Sequence, residues 1–171
     1  MERLYTPWRM KYITTDKKPF DGCVFCVKLN DDFDYDRENY LIYRGRYTFT
    51  VMNIYPYNTG HLMILPRDHV ATLAEVSLQA QCEMMALATY FTDLLSELMG
   101  PDGFNIGINL GQAGGAGIAS HLHMHIVPRW QGDSNFMTVV GDTRILPEGL
   151  SDTYDRIVKR LREKPPTLPP S

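Results

Sequence analysis

What this sequence has little of narrows it first. It carries three cysteines in 171 residues, an odd number. Its opening, "MERLYTPWRMKYI", lacks the apolar middle of a secretory signal. A disulfide framework is therefore not expected, and the chain reads as cytoplasmic. No apolar run is long enough to cross a bilayer. There is no surplus of positive charge either: 17 Lys and Arg stand against 20 Asp and Glu, a net charge of −3. That argues against nucleic-acid or membrane surfaces as partners, since both select a basic face, but leaves room for a small anion held by local groups. There is no internal repeat. The acidic stretch "NDDFDYDREN" lacks the ligand spacing of a calcium loop and reads as a solvated connector.

What is present is ordinary in bulk, with 44% hydrophobic and 22% charged residues. The chain is long enough to bury one core, and we expect a single domain over 1–162. Within it, 1–39 is irregular and carries the Cys-x-x-Cys "CVFC". The ending "EKPPTLPPS", 163–171, reads as a flexible proline-rich tail with little to bury.

From Tyr40 the pattern turns to strands. "NYLIYRGRYTFTVMN" is two β-rich runs around Arg44-Gly45-Arg46, a hairpin. "YPYNTG" is a turn, and "HLMILP" a strand buried on both faces. Ser77 to Met99 predicts a helix with a stripe of Leu78, Met84, Met85, Ala88, Phe91, Leu95 and Leu98, ended by Gly100-Pro101. Cys82 lies in it and is expected in the core. "FNIGINL" is another strand, and "NFMTVVG" reads as an edge strand. Residues 151–162 predict a short helix capped by Ser151, with Tyr154, Val158 and Leu161 on one face. Strands, helix, strands, helix give an α+β fold with a mainly antiparallel sheet.

Three of the five histidines fall within "HLHMHIV", at every second position. On a strand that spacing turns His121, His123 and His125 to one side and Leu122, Met124 and Ile126 to the other, into a core. Two chemistries suit such a row. Imidazole is a common metal ligand. An imidazole can also be a nucleophile whose neighbours hold its tautomer. The segment just upstream, "NLGQAGGAGIAS", is glycine-rich, and exposed backbone N–H groups in such a loop can form an anion-binding concavity. A phosphate cradle beside the row favours attack on phosphorus.

"HLHMHIV" resembles the His-φ-His-φ-His-φ-φ motif (φ apolar) of the histidine triad, or HIT, family of nucleotidyl hydrolases and transferases, and matches it at all seven positions. "NIYPYNTGHLMILPRDH" and "FNIGINLG" are similar to the family's sheet segments. "TPWRMKYI" and "HLHMHIVPRWQGDSNFM" are most similar to the branch containing bacterial diadenosine tetraphosphate phosphorylases. The resemblance implies a HIT-like fold: a five-stranded antiparallel sheet with one long helix and a short C-terminal helix, paired as a homodimer. It implies a purine nucleotide substrate, an adenine dinucleoside polyphosphate, cleaved at the α-phosphate; the alternatives are a nucleoside phosphoramidate or adenylyl-conjugate hydrolase, or a nucleotide-binding sensor without turnover. His123 is then the nucleophile, His125 a donor to phosphate oxygen or leaving group, and His121 the third triad member. Asn53 matches the ribose contact and Asn109 the α-phosphate contact. Gly115 and Gly117 lie where backbone amides approach the phosphate. Many members carry Gln and then Ser or Thr where this chain has Gly117 and Ile118, so backbone donors must do more here.

Two thiols at Cys-x-x-Cys spacing are a common zinc half-site; a redox pair has the same spacing but belongs to a thioredoxin-like pattern absent here. Free buried cysteines are the plain alternative. The resemblance to zinc-containing HIT proteins implies Cys23, Cys26, His69 and His121 as ligands of a structural zinc. His61 is left over and reads as structural. The segment "PRWQGDSNF" is expected to help form the pocket of the acceptor or distal nucleotide, through Arg129 and Trp130.

Overall fold

The apolar runs pair into one antiparallel sheet. Its strands are β1 (Leu41–Arg44), β2 (Thr48–Met52), β3 (Leu62–Pro66), β4 (Gly103–Ile108) and β5 (Met124–Arg129), in the order β1-β2-β3-β5-β4. The structure, a computed structural model, describes residues 22–133 and 148–168. The expected hairpin around Arg44-Gly45-Arg46 forms, with Arg44 opposite Phe49. The expected edge strand at 135–141 lies outside the described residues.

One face of the sheet is covered by helix α2 (Leu78–Met99). Ser77 caps it by accepting a hydrogen bond from the Ala80 amide, and Gly100 ends it in the left-handed region, φ 56°, where the absence of a Cβ removes the usual strain. Met84, Leu87, Phe91 and Leu95 pack with Ile64, Leu122, Met124 and Ile126. The expected stripe is partly corrected. Leu78 and Met85 are exposed, at 71% and 59%, and Cys82 is exposed too. Leu87 and Leu94 hold the positions three residues after Met84 and Phe91, and Met85, one residue further round from Met84, points to water. Glu83 is buried among them. Its carboxylate accepts from the Thr48 amide at 3.0 Å and the Thr48 hydroxyl at 2.6 Å, which anchors the start of β2.

The other face carries a second cluster: Phe25, Leu29, Leu41, Phe49, Val51, Met63 and Leu65. Phe25 and Leu29 come from a short helix, α1 (Val24–Asn30), so the first forty residues are not wholly irregular. Nor is "CVFC" a tight turn. Cys23 is the N-cap residue of α1 and Cys26 lies in its first turn. The acidic connector is stitched to β1: Arg44 binds the Asp36 carboxylate at 2.6 Å and donates to the Leu29 and Asp31 carbonyls.

Helix α3 (Leu150–Glu163) follows the second described stretch's start. Its N-cap is Gly149, and Ser151 sits inside the helix rather than capping it. Tyr154 and Ile157 are its most buried apolar side chains, and Ile157 was not in the expected face. The tail is not wholly unattached: Leu168 packs on the main core, and the Tyr90 hydroxyl donates to the Lys164 carbonyl. Among the described residues no helix is long and apolar enough to cross a membrane.

Candidate functional site

Strand β5 places the histidine run at the middle of the sheet. His125 lies between Met63 of β3 and Gly107 of β4. His121 and His123 stand just before the strand begins, held in line by the Leu122 amide, which donates to the Val70 carbonyl at 2.7 Å. The alternation expected of a strand survives there: Leu122, Met124 and Ile126 enter the main core. The three histidines lie on the opposite side, all buried. Phe25 of α1 packs on them, its ring centroid 5.7 Å from His121 and 5.5 Å from His123.

Hydrogen bonds fix which nitrogen of each ring carries the proton, because a carbonyl can only accept and a backbone N–H can only donate. His123 Nδ1 lies 2.8 Å from the His121 carbonyl, so Nδ1 carries a proton and Nε2 is the nitrogen that holds the lone pair in the neutral ring. The Tyr57 amide donates to His61 Nδ1 at 3.0 Å. His61 therefore carries its proton on Nε2 and donates it to His125 Nδ1, 2.9 Å away. That leaves the His125 proton on Nε2, which is buried and has no hydrogen-bond partner among the described residues. Burial, helped by the neighbouring His123, pulls the His125 pKa down to about 4, so the ring is neutral at neutral pH. The His123 and His125 rings meet edge to face with centroids 4.8 Å apart. One ring offers a lone pair and its neighbour an N–H hydrogen-bond donor, a pair suited to attack on phosphorus and to stabilising charge on a phosphate oxygen.

His61, which the sequence reading set aside as structural, is brought by the fold into direct contact with His125, which makes it a further candidate for the site. Its partner His125 is 64 positions away. No local pattern marks it; it needs the pairing of β3 with β5. We expect His61→Ala to lower kcat at least tenfold with KM changed much less, because His125 would lose the donor that sets its tautomer. Steady-state kinetics check this; equal loss in kcat and KM-dependent binding would point to a collapsed pocket instead.

Beside His125 opens a cleft of about 330 Å³, lined in part by Tyr57, Asn58, Asn105, Gly107, Asn109 and Arg129. Gly107, opposite His125 in the sheet, adds no side chain to fill it. Asn109 is in this wall, and its amide reaches toward the Gly115 carbonyl at 3.5 Å. The glycine loop turns tightly enough that a Cβ on Gly114 would come within 2.3 Å of the Leu110 carbonyl oxygen. The Gly115 amide is already given to the Gln112 carbonyl. Gly117 is exposed just beyond this turn. Asn53 lies outside the cleft lining; its amide donates toward His61 Nδ1 at 3.4 Å, and its oxygen accepts from the Tyr55 amide. Arg129 lines the cleft but is held by Asp133 through two hydrogen bonds of 2.6 and 2.8 Å.

A separate cluster joins Cys23, Cys26, His69 and His121, with donor atoms all within 4.8 Å of one another. Here His121 Nε2 donates to the Pro66 carbonyl at 2.9 Å, which turns the Nδ1 lone pair on the cluster. From that Nδ1 the Cys23 sulfur is 3.4 Å away, the Cys26 sulfur 3.5 Å and His69 Nδ1 3.3 Å. Tetrahedral zinc, with bonds of about 2.3 Å to sulfur and 2.0–2.1 Å to nitrogen, sets its ligand atoms about 3.3–3.8 Å apart. The donor set and the orientation of His121 both fit such an ion. Burial lowers the His121 pKa, which keeps this ring neutral as a ligand must be. Burial, with Cys23 adjacent, pushes the Cys26 thiol up, so a thiolate there needs a cation.

The chain is similar to known proteins. The chain is 35% identical, over 174 residues, to the AP-4-A phosphorylase of Mycobacterium tuberculosis, covering 96% of this chain and 87% of that protein. A crystal structure of a Zn-bound histidine triad family protein from Mycobacterium smegmatis superposes with a TM-score of 0.65 at 26% identity, covering 83% of this chain and 94% of that one. The diadenosine triphosphate hydrolase of Plasmodium falciparum shares the fold, with a TM-score of 0.61 at 17% identity over 74% of this chain and 79% of that one. Residues 36–132, which hold the sheet and all five histidines, match the HIT domain, and the chain belongs to the HIT family.

Proposed function

We propose that the protein is a nucleotidyl transferase or hydrolase that cleaves dinucleoside polyphosphates of the diadenosine tetraphosphate type at the α-phosphate. The observation that carries this reading is the pairing of His123, whose Nδ1–H bond to a carbonyl leaves Nε2 as the attacking nitrogen, with His125, whose Nε2 carries the N–H, beside an open cleft. The 35% identity to a protein named AP-4-A phosphorylase supports the substrate class.

The chemistry balances in two displacements. His123 Nε2 attacks the α-phosphorus, a P–N bond forms, and the P–O bond to the rest of the nucleotide breaks. His125, a neutral ring, donates a hydrogen bond from Nε2 to the departing phosphate oxygen, and the polyphosphate leaves as an anion. Water, giving up its proton to solvent, or inorganic phosphate, entering through an ionised oxygen, then attacks the same phosphorus, and the P–N bond to His123 breaks. Splitting the reaction this way replaces one hard transfer with two in-line steps. Asn109 and the exposed amide of Gly117 hold the phosphate oxygens, and Asn53 the ribose. In this reading Cys23, Cys26, His69 and His121 hold zinc, with all four positions filled by protein, so the ion braces the fold and leaves the chemistry to the histidines. β4 is an edge strand with Asn105, Ile106 and Gly107 exposed. It is where a second copy would extend the sheet into a homodimer.

Products from diadenosine tetraphosphate with and without inorganic phosphate test the reading. ADP with ATP, appearing only with phosphate, marks phosphorolysis. AMP with ATP in either buffer marks hydrolysis. No product in either buffer would overturn the substrate assignment.

A further inference from the structure

In a double displacement the leaving group departs opposite the attacking nitrogen, and the acceptor enters from that same vacated side. The cleft is lined by His125, which donates a hydrogen bond to the departing oxygen, and not by His123, the nucleophile. It therefore lies on the departing side of the phosphorus. Its walls are chemically specific. Tyr57 stands at its edge, 43% exposed. One face of that ring lies against His125 at 6.0 Å and 30°, and against His61 at 4.8 Å. The turn that carries it is pinned: the Asn58 amide donates to the Pro128 carbonyl at 3.0 Å and to Asp133 at 2.7 Å. Asp133 in turn clamps Arg129, whose remaining guanidinium arm reaches the Asn105 side chain. Such an arginine is not a free anion receptor. The wall presents a fixed aromatic face, neutral amides and a compensated charge. That combination suits a flat heterocycle with donors and acceptors on its edge better than a bare phosphate.

We propose that this wall seats the distal nucleoside of the substrate, the one that leaves with the polyphosphate, and that the Tyr57 ring stacks on its base. The proposal rests on the dinucleoside polyphosphate reading and adds to it a reason for preferring a second nucleoside. The expected Arg129 role changes with it: Arg129 shapes the seat through Asn105 and Asp133 rather than gripping the acceptor with an open fork. The cleft volume, about 330 Å³, is at the lower end of small-molecule pockets, which run from about 300 to 1,000 Å³.

The test compares diadenosine tetraphosphate with adenosine 5′-tetraphosphate, which carries the same adenylyl group and phosphate count without the distal nucleoside. Wild type should show the higher kcat/KM on the dinucleotide. Tyr57→Ala should lower the ratio of the two kcat/KM values about tenfold, the scale of one base–aromatic stack. Tyr57→Phe, which keeps the ring, should preserve the ratio. A parallel fall on both substrates would overturn the seat and leave Tyr57 acting only through His61 and His125. So would a wild-type enzyme without preference between the two. Wild type inert toward both would overturn the underlying substrate reading instead.

Discussion

His123→Ala is expected to abolish turnover while nucleotide binding stays within a few fold of wild type. The loss should be at least about 1,000-fold in kcat, about 4 kcal/mol of transition-state stabilisation. His123 is the ring whose Nδ1 proton is committed to the His121 carbonyl, so its Nε2 holds a lone pair without any base having to remove a proton first. Alanine removes the bond-forming atom and leaves the cleft walls, which lie around His125, in place. Single-turnover product release and calorimetric nucleotide affinity separate the two effects. Activity within about tenfold of wild type would sink the histidine intermediate and revive a metal role for the row.

That result would also bear on how the histidines divide their work. The ring of His121 faces the two cysteines and His69, while its backbone carbonyl fixes the tautomer of His123. His125 has the opposite tautomer, set on the same face of the sheet by His61, just before β3, and by the Tyr57 amide. Period-two spacing put the three rings on one side. The tautomers came from His61 and Tyr57, both in the segment leading into β3, and from the run's own backbone.

This difference explains what the sequence could show. Strand alternation in "HLHMHIV" and the cap and stop of α2 at Ser77 and Gly100 are local, and a reader of one segment can see them. The Cys-x-x-Cys spacing is local too. Its meeting with His69 and His121 depends on α1 crossing the sheet face, and was available beforehand only through family resemblance. The role proposed for His61, the Tyr57 stack and the Asn58 bond to Asp133 depend on pairing between segments up to 75 positions apart. The exposed side of α2 was misjudged at Met85 because Met84 and Met85 look alike in a periodicity count, and only the sheet decides which of them is inside.

Purified protein is expected to carry about one zinc per chain, and Cys23→Ser with Cys26→Ser is expected to lower the melting temperature by about 8–16 °C. The figure follows from losing an ion present at roughly a thousand times its dissociation constant, about 4 kcal/mol, at about 2–4 °C per kcal/mol for a chain of this size. The physical reason lies in what the cluster joins. Cys23 and Cys26 belong to α1, whose Phe25 and Leu29 complete the second core, and His69 and His121 belong to the segments leading out of β3 and into β5. Without the ion, two thiols and two imidazoles face one another with no cation between them, and α1 loses its cross-link to the sheet. The rate measured on protein that is still folded should fall less than the stability. The carbonyl that sets the His123 tautomer remains placed by the Leu122 amide on Val70, and the His121 ring by its own bond to Pro66. Elemental analysis, thermal unfolding and activity at a temperature well below the transition give the three readouts. Protein without metal, with both thiols open to labelling in the native state, would rule the site out. A serine variant as stable as wild type but inactive would instead move the metal from the scaffold into the reaction.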